Sequence, residues 1–382
     1  MKILHVIPSM AATYGGPSHA LAQMQEVLKQ NNIENNIAAT QDDRDGVLTL
    51  SPSKTLFLFP RKFPGFYFYA PAMQTWLSRN LCSYDLIHIH STFTFPAMIA
   101  GHYARALKIP YLIRPFGTLD KECMRRHFLR KKLYLETIER KNLNAAQYIH
   151  CTSESEKEDV DRLHLQTKTL VIPLGLFRPA HSLHKRPEND TAPFKILYLS
   201  RIDPKKGLEV LIEAIKELKK RRNDFLLLIA GSGRPAYVEK IKNSIRKKNL
   251  TGNVSFLGEV TGEQKKKTLE DADMFILPSK RENFGLAVAE AMDAGLPVVV
   301  SAEVAISGEI QRYGAGLVVL RTLGDIQRAL NQLLDDPEKR YEMGRKGQEL
   351  VREKFDLTKN LKKLIAVYQT MISAKKYADS RA

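Results

Sequence analysis

The stretch FKILYLSRIDPKKG, residues 194–207, decides the fold that we predict for this chain. It begins as a short apolar strand, passes through a polar loop and ends at Gly207, where a helix is expected to begin. Strand followed by helix, repeated, is typical of a parallel sheet covered by helices. The same unit recurs downstream, with strands predicted at 225–230, 253–257, 274–278 and 297–301 and helices at 207–222, 235–249, 285–295 and 325–335.

The N-terminal half shows the same alternation. Strands are predicted at 2–7, 85–90, 109–115 and 148–153, and a helix is predicted from Pro17, a residue suited to a first helical turn. A long basic helix is predicted from Met124 to Ala146. The chain is therefore predicted to be an α/β protein with two tandem doubly wound, Rossmann-like domains and a cleft between them.

A segment rich in proline and charged residues, 178–193, separates the two halves and is interpreted as a linker. We assign the first domain to residues 1–180 and the second to residues 194–357. An amphipathic helix at 358–375 follows, and it could pack on either domain. A length of 382 residues suits two such domains.

Composition excludes several classes of protein. Hydrophobic residues make up 43% of the chain, which is too many for an intrinsically disordered protein, and no apolar run is long enough to span a bilayer. The three cysteines show no metal-binding spacing and do not indicate a disulfide framework, so a reducing cytoplasm is expected. The net charge of +17 suits an anionic partner, which would be a phosphate ester, nucleic acid or an acidic membrane surface. The alternative is general solubility, and net charge alone does not separate these four readings.

The loop after strand 194–200 is a candidate phosphate site. Arg201 comes at the strand end and Lys206 comes directly before a helix start. Two cations beside a helix N-terminus suit a diphosphate, and ligands of such sheets bind at the carboxyl ends of the strands. The alternative is a solvated basic loop, and the position of the two cations favours function.

A second candidate site lies in KRENFGLAVAEAMDAGLPVVVS, residues 280–301. Glu282 precedes a helix and Glu290 lies within it, eight residues on, too far apart along a helix for a glycosidase-like carboxylate pair. Separate roles on one ligand suit this spacing, with the amides of Phe284, Gly285 and Leu286 at the helix start holding an anion or hydroxyl groups.

Gly15 and Gly16 follow the first strand and precede the first helix. They would let backbone N–H groups approach a phosphate, although a plain turn is the more common use of such a pair. The pattern is not GxGxxG, so no dinucleotide-binding fingerprint is present.

Taken together, these segments resemble a family-4 glycosyltransferase of the GT-B fold, a group of retaining enzymes that use nucleotide-sugar donors. The resemblance covers nearly the whole chain, in the expected order. It rests on YGGP (14–17), HIHSTF (88–93), TSESE (152–156), IPLG (172–175), SRIDPKKG (200–207), AGSG (230–233), FLGEV (256–260) and Glu282 with Glu290 before AGLPVV.

The resemblance implies a role for each matching residue. Arg201 and Lys206 would hold the donor diphosphate, Glu290 the ribose, and Glu282 would lie by the transferred sugar. The remaining donor contacts would come from Gly231 and Gly233 in the nucleotide cleft, Val260 at the base, Gly16 at the diphosphate or acceptor, and His90 near the donor sugar. For His90 a core position is an alternative, because we expect His88 on the other face of the same strand.

No cofactor and no metal are expected, because neither DVD (159–161) nor DAD (271–273) looks like a metal site and the basic pair replaces a cation. We expect a UDP-sugar rather than a GDP-sugar as donor, and a glycan or lipid-linked acceptor in polysaccharide or glycolipid synthesis. Two rivals stay open. One is a nucleotide-sugar isomerase on the same fold. The other is a nucleic-acid-binding protein. The sequence shows no recognisable nucleic-acid-binding module, so no specific nucleic acid is expected.

Two further segments suggest contact with an anionic membrane, at the inner face if the protein is peripheral. One is RKFPGFYFY, residues 61–69, which mixes cations with aromatic residues. The other is the basic stretch containing Lys121, Arg125, Arg126, Arg130, Lys131, Lys132, Arg140 and Lys141. Basic residues attract anionic lipid and aromatic side chains settle at the interface. The competing interpretation is a solvated helix face with the aromatic residues in the core.

Overall fold

The computed structural model describes residues 1–43, 45–50, 54–125, 127–177 and 192–380. The chain divides into two compact units. Unit 1 comprises Met1–Phe177 and Leu357–Ala382, and unit 2 comprises Arg178–Asp356. The predicted linker lies outside the described residues except for its last two positions.

In its described part, unit 1 has a seven-stranded parallel sheet with the strand order β3-β2-β1-β4-β5-β6-β7. The strands are β1 Lys2–Ser9, β2 Glu34–Gln41, β3 Leu56–Pro60, β4 Leu86–His90, β5 Tyr111–Arg114, β6 Tyr148–Cys151 and β7 Lys168–Val171. The helices are α1 Gly16–Gln30, α2 Pro71–Asn80, α3 Phe95–Ala106, α4 Lys121–Arg125, α5 Phe128–Tyr134, α6 Arg140–Ala145 and α7 Glu154–Asp161. Apolar cores lie on both sides of this sheet, as a doubly wound fold requires.

The described part of unit 2 has a six-stranded parallel sheet with the order β10-β9-β8-β11-β12-β13. The strands are β8 Phe194–Leu199, β9 Phe225–Ala230, β10 Val254–Gly258, β11 Met274–Leu277, β12 Val298–Ser301 and β13 Gly316–Val319. The helices are α8 Leu208–Lys219, α9 Pro235–Lys247, α10 Gly262–Glu270, α11 Leu286–Asp293, α12 Ser307–Tyr313, α13 Leu323–Asp335 and α14 Pro337–Lys354.

The final helix, α15 Leu357–Asp379, belongs to unit 1. Its residues Leu361, Leu364 and Tyr368 are buried in the same core cluster as Ile3 of β1 and Leu21 of α1. The apolar stripe that the sequence shows at helical spacing is therefore the face that packs on the first sheet.

The prediction of one helix from Met124 to Ala146 is wrong. His127 takes a left-handed conformation (φ 57°, ψ 42°), which a right-handed helix cannot contain, so the helix is interrupted between α4 and α5. A π-helical turn, Leu135–Glu139, then joins α5 to α6.

Candidate functional site

The strand order of unit 2 reverses between β8 and β11. Starting from β8, the chain builds one side of the sheet through β9 and β10, and it builds the other side through β11, β12 and β13. The carboxyl ends of two such strands border the crevice in which doubly wound sheets bind ligands. Arg201 and Lys206 follow β8, and Glu282 follows β11. The fold thus brings the candidate phosphate and sugar residues of unit 2 to one edge of the sheet.

A tight 3-10 turn, Pro204–Lys206, presents Lys206 at this edge. The Asp203 side chain accepts a hydrogen bond from the Lys205 amide at 2.9 Å, which caps the turn. Gly207 follows with φ +75°, and a Cβ there would lie 1.8 Å from the Pro278 carbonyl oxygen. This position therefore requires glycine both for its conformation and for the close approach to the end of β11.

Lys206 and Glu282 form an ion pair between the two strand ends. Both side chains are largely shielded, at 12% and 21% exposed, so the attraction is screened less than on an open surface. Arg201, by contrast, is exposed. The basic pair thus consists of one cation held by a carboxylate and one that faces solvent.

The loop that carries Glu282 is held by backbone bonds. The Glu282 amide donates to the Glu303 carbonyl at 3.2 Å, and the Glu282 carbonyl accepts from the Ala305 amide at 3.0 Å. Gly285 has φ +90°, a conformation suited to glycine, and Leu286 begins α11. The Phe284 ring is buried and packs edge-on against Phe355, which leaves only its backbone for a ligand.

Glu290 lies on α11 and pairs with Lys265 of α10, the Nζ to Oε1 distance being 2.5 Å. The sequence pattern does not reveal this contact. Lys265 and Glu290 are 25 residues apart in sequence, on helices that precede and follow β11. No rule of helical spacing connects residues on two different helices. Glu290 is half-buried, between the buried residues Ala289 and Ala291.

The glycines after β9 have a structural explanation. A Cβ on Gly231 (φ +135°) would lie 2.0 Å from the Ser200 carbonyl oxygen, and one on Gly233 would lie 2.2 Å from that of Ile202. Both glycines therefore let the loops after β8 and β9 run side by side. Val260, which follows β10, is buried. Whether these three residues also contact a nucleotide stays a prediction.

In unit 1, Gly15 and Gly16 follow a 3-10 turn and start α1. Gly15 has φ +89°, and its amide donates to the Ala12 carbonyl at 3.0 Å, so its turn conformation favours glycine. Gly16 differs, because a Cβ there would meet no atom within 4 Å. Glycine at position 16 is thus not required by packing within unit 1.

His90 lies at the end of β4 and is fully buried in a cluster of histidines. Its Nε2 lies 3.0 Å from Nδ1 of His5. The expectation that His88 lies on the opposite face is wrong, because residues two apart on a strand share a face. The His88 and His90 ring centroids are 4.0 Å apart. Complete burial favours the core interpretation of His90 over contact with a sugar.

The histidines of this cluster are held in the neutral form. Burial lowers the pKa of His5 to about 3 and lowers the pKa values of His88, His90 and His150 well below their ordinary range, and Arg114 adds repulsion. Arg114 is itself buried and donates to Nδ1 of His150. The cluster therefore contains four neutral histidine side chains next to the buried, positively charged Arg114.

Among the described residues, His5, His88 and His90 form one group whose geometry would permit metal binding, with ligand atoms within 4.8 Å of one another. The sequence did not predict this group, because His5 is more than eighty residues from the other two. The guanidinium of Arg114 disfavours a further cation here, and no Asp or Glu belongs to the group.

Within the described part of the chain, no helix has both the length and the apolar character needed to cross a bilayer.

The sequence matches two families of glycosyltransferases. Residues 14–176 match the family described as Glycosyltransferase Family 4, and residues 181–350 match the family described as Glycosyl transferases group 1. An uncharacterized glycosyltransferase of Methanocaldococcus jannaschii is 25% identical over 297 residues, which cover 75% of this chain and 76% of that protein.

Two further proteins are similar. The GDP-mannose-dependent monoacylated alpha-(1-6)-phosphatidylinositol monomannoside mannosyltransferase of Corynebacterium glutamicum is 34% identical over 167 residues, 42% of each chain. The crystal structure of Anabaena HepE in complex with UDP and glucose aligns with a TM-score of 0.77, covering 97% of this chain and 100% of HepE at 19% identity. This likeness shows the GT-B fold.

Proposed function

The chain belongs to the family-4 glycosyltransferases of the GT-B fold, and from this premise we propose that it transfers a sugar from a nucleotide-diphosphate donor with retention of configuration. The acceptor we propose is a hydroxyl group of a glycan or a lipid-linked glycan, in the synthesis of a polysaccharide or glycolipid. The observation that carries the proposal is the meeting of Arg201, Lys206 and Glu282 at the crevice between β8 and β11.

The Lys206–Glu282 pair suggests how the donor is received. An ammonium group has three donors, so Lys206 can keep its bond to Glu282 and still donate to a phosphate oxygen. Arg201 would supply a second cation. As the glycosidic bond breaks, negative charge grows on the leaving diphosphate, and cations fixed in place stabilise it without further reorganisation.

Retention needs either a nucleophile or attack on the same face as the departing group. Glu282 is paired with Lys206 and is therefore poorly suited to act as a free nucleophile. We therefore favour front-face attack, in which the departing phosphate accepts the proton of the acceptor hydroxyl. Glu282 would then orient the transferred sugar, and Glu290 would accept hydrogen bonds from the ribose hydroxyls.

For the donor we propose a UDP-sugar. HepE, which shares the fold, was crystallised with UDP, whereas the Corynebacterium relative is GDP-mannose-dependent. The test is a thermal-shift screen of UDP- and GDP-sugars, because a ligand that binds only the folded state raises the melting temperature. At a hundred times its Kd a ligand adds about 2.7 kcal/mol to stability. If no nucleotide sugar in the panel raises the melting temperature, the proposal is contradicted.

Glu290→Ala is expected to weaken donor binding about tenfold while turnover at saturating donor changes less. The ribose is bound equally before and during the reaction, so its contacts contribute to affinity more than to rate. Donor affinity is measured by titration for this variant and for the control Glu349→Ala. The control removes the carboxylate of an exposed ion pair with Arg345 in the same unit. Equal donor affinity in both variants would refute the ribose assignment.

Transfer is expected to continue when a strong chelator is present, because Arg201 and Lys206 supply the positive charge that a metal would otherwise provide. The assay follows release of nucleoside diphosphate with and without chelator, and a magnesium-dependent glycosyltransferase serves as control. Loss of activity that magnesium or manganese restores would contradict this prediction.

A further inference from the structure

The aromatic loop at 61–69 presents two of its side chains to solvent. Phe63 is 91% exposed and Phe66 is 82% exposed. Their neighbours point the other way: the rings of Tyr67 and Tyr69 pack edge-on against Phe95, with centroids 6.2 and 4.9 Å away. The loop is thus fixed from within, and its outward residues do not contribute to the core.

Helix α5 also presents apolar side chains outward. Leu129 and Leu133, four residues apart and so on one face, are 79% and 67% exposed, and Phe128 is 50% exposed. Lys132 lies on the same side, its Nζ 5.6 Å from the centroid of the Phe128 ring. This face therefore combines large apolar groups with positive charge.

The two segments meet. The hydroxyl of Tyr67 lies 2.6 Å from that of Tyr134, the last residue of α5, and the Tyr134 ring also contacts Phe93. We call the exposed residues on either side of this contact the aromatic-basic surface. It comprises Lys62, Phe63, Phe66, Phe128, Leu129, Arg130, Lys132 and Leu133.

The charge of this part of unit 1 is mainly positive. Lys62, Arg130 and Lys132 are exposed on the surface itself, and Arg125 is exposed on the preceding helix α4. Of the nearby carboxylates, Glu136 is neutralised by Arg140 at 2.7 Å. Arg126, which was part of the predicted basic stretch, lies outside the described residues.

We propose that the aromatic-basic surface docks unit 1 on an anionic lipid bilayer. Several large apolar side chains exposed together mark an interaction site, and the exposed cations of the same segments complement anionic headgroups. Phe63, Phe66, Leu129 and Leu133 enter the interface, and the cations remain at headgroup depth. The inference goes beyond sugar transfer, because it concerns where the protein works and does not depend on the donor.

The test is co-sedimentation of the full chain with vesicles of phosphatidylcholine alone and of phosphatidylcholine mixed with phosphatidylglycerol, at low and high salt. Binding to the anionic vesicles is expected to exceed binding to the neutral ones and to fall with salt. Arg130→Glu with Lys132→Glu is expected to weaken it about thirtyfold, and Leu129→Ser with Leu133→Ser about tenfold.

The matched control is Lys362→Glu with Lys363→Glu, which makes the same charge change on the exposed side of α15 and is expected to bind as the unmodified chain does. All substituted residues are exposed, so folding is retained, and donor-induced melting shifts check this independently. Equal, negligible binding to both vesicle types would overturn the proposal. An equal loss of vesicle binding in the control and the test variants would also overturn it. Self-association of the chain that the leucine variant abolishes would overturn it too, because it would assign the surface to a second copy.

Discussion

Lys206→Ala and Arg201→Ala are each expected to lower kcat about a hundredfold, with a smaller effect on donor affinity. Charge accumulates on the diphosphate only as the glycosidic bond breaks, and interactions that strengthen in the transition state determine the rate. The loss of one fixed donor to such a charge costs about 3 kcal/mol. Removing Lys206 also leaves Glu282 without its partner beside an anionic donor, which adds repulsion.

The control for this prediction is Lys205→Ala. Lys205 lies in the same 3-10 turn and carries the same charge, but its side chain is exposed, and its backbone makes the bonds that hold the turn. We expect its kcat to stay within a few-fold of the unmodified enzyme. Steady-state kinetics of the three variants therefore separate a positioned cation from general positive charge. Normal turnover in Lys206→Ala would show that the phosphate site is assigned incorrectly.

Unit 1 is expected to lose roughly 3 kcal/mol of stability between pH 7 and pH 5.5. The four buried histidines are neutral in the folded state but have a pKa near 6.5 when unfolded, so the unfolded chain takes up more protons below that pH. Their pKa values are lowered, so their contribution is present above pH 6.5 and is lost as the pH falls. Buried Glu139, whose pKa is raised to about 7, and Glu156, whose pKa is also raised, take up protons when folded and offset part of the loss.

The measurement uses Trp76, the one tryptophan of the chain, which packs against Phe57 in unit 1. Its fluorescence during urea unfolding at several pH values reports on unit 1. His90→Gln should reduce the pH dependence by about one proton. A stability that is flat from pH 7 to pH 5.5 would show that the cluster is not neutral as described.

The parallel sheets were predictable because most strands are short apolar runs. β2 was missed for a physical reason: its sequence ENNIAATQ is polar, yet Asn35 and Asn36 are buried. The Asn36 amide donates to the Tyr84 hydroxyl at 2.9 Å, and the Asn35 amide donates to the Ile33 carbonyl. Tyr84 lies 48 residues from Asn36, so the local pattern does not reveal that the buried Asn36 amide has a partner.

The site residues that directly follow strands could be predicted from the sequence. The contacts that these residues make with other elements could not. Arg201, Lys206 and Glu282 each follow a strand, so their common edge could be inferred. Two ion pairs could not be inferred in this way, namely Lys206 with Glu282 and Lys265 with Glu290. The partner of a long, flexible side chain depends on which groups the folded structure brings near it. The histidine cluster joins β1, β4 and β6 and is visible only once the strand order is known.

The central claim, retaining transfer from a nucleotide sugar, is tested most directly by the anomer that the enzyme releases when water replaces the acceptor. The donor that gives the largest melting shift is incubated with the protein, and proton NMR follows the products before the free sugar mutarotates. We predict that the first sugar released has the anomeric configuration of the donor, together with nucleoside diphosphate. The opposite anomer would contradict retention, and a changed nucleotide sugar with no diphosphate released would identify an isomerase.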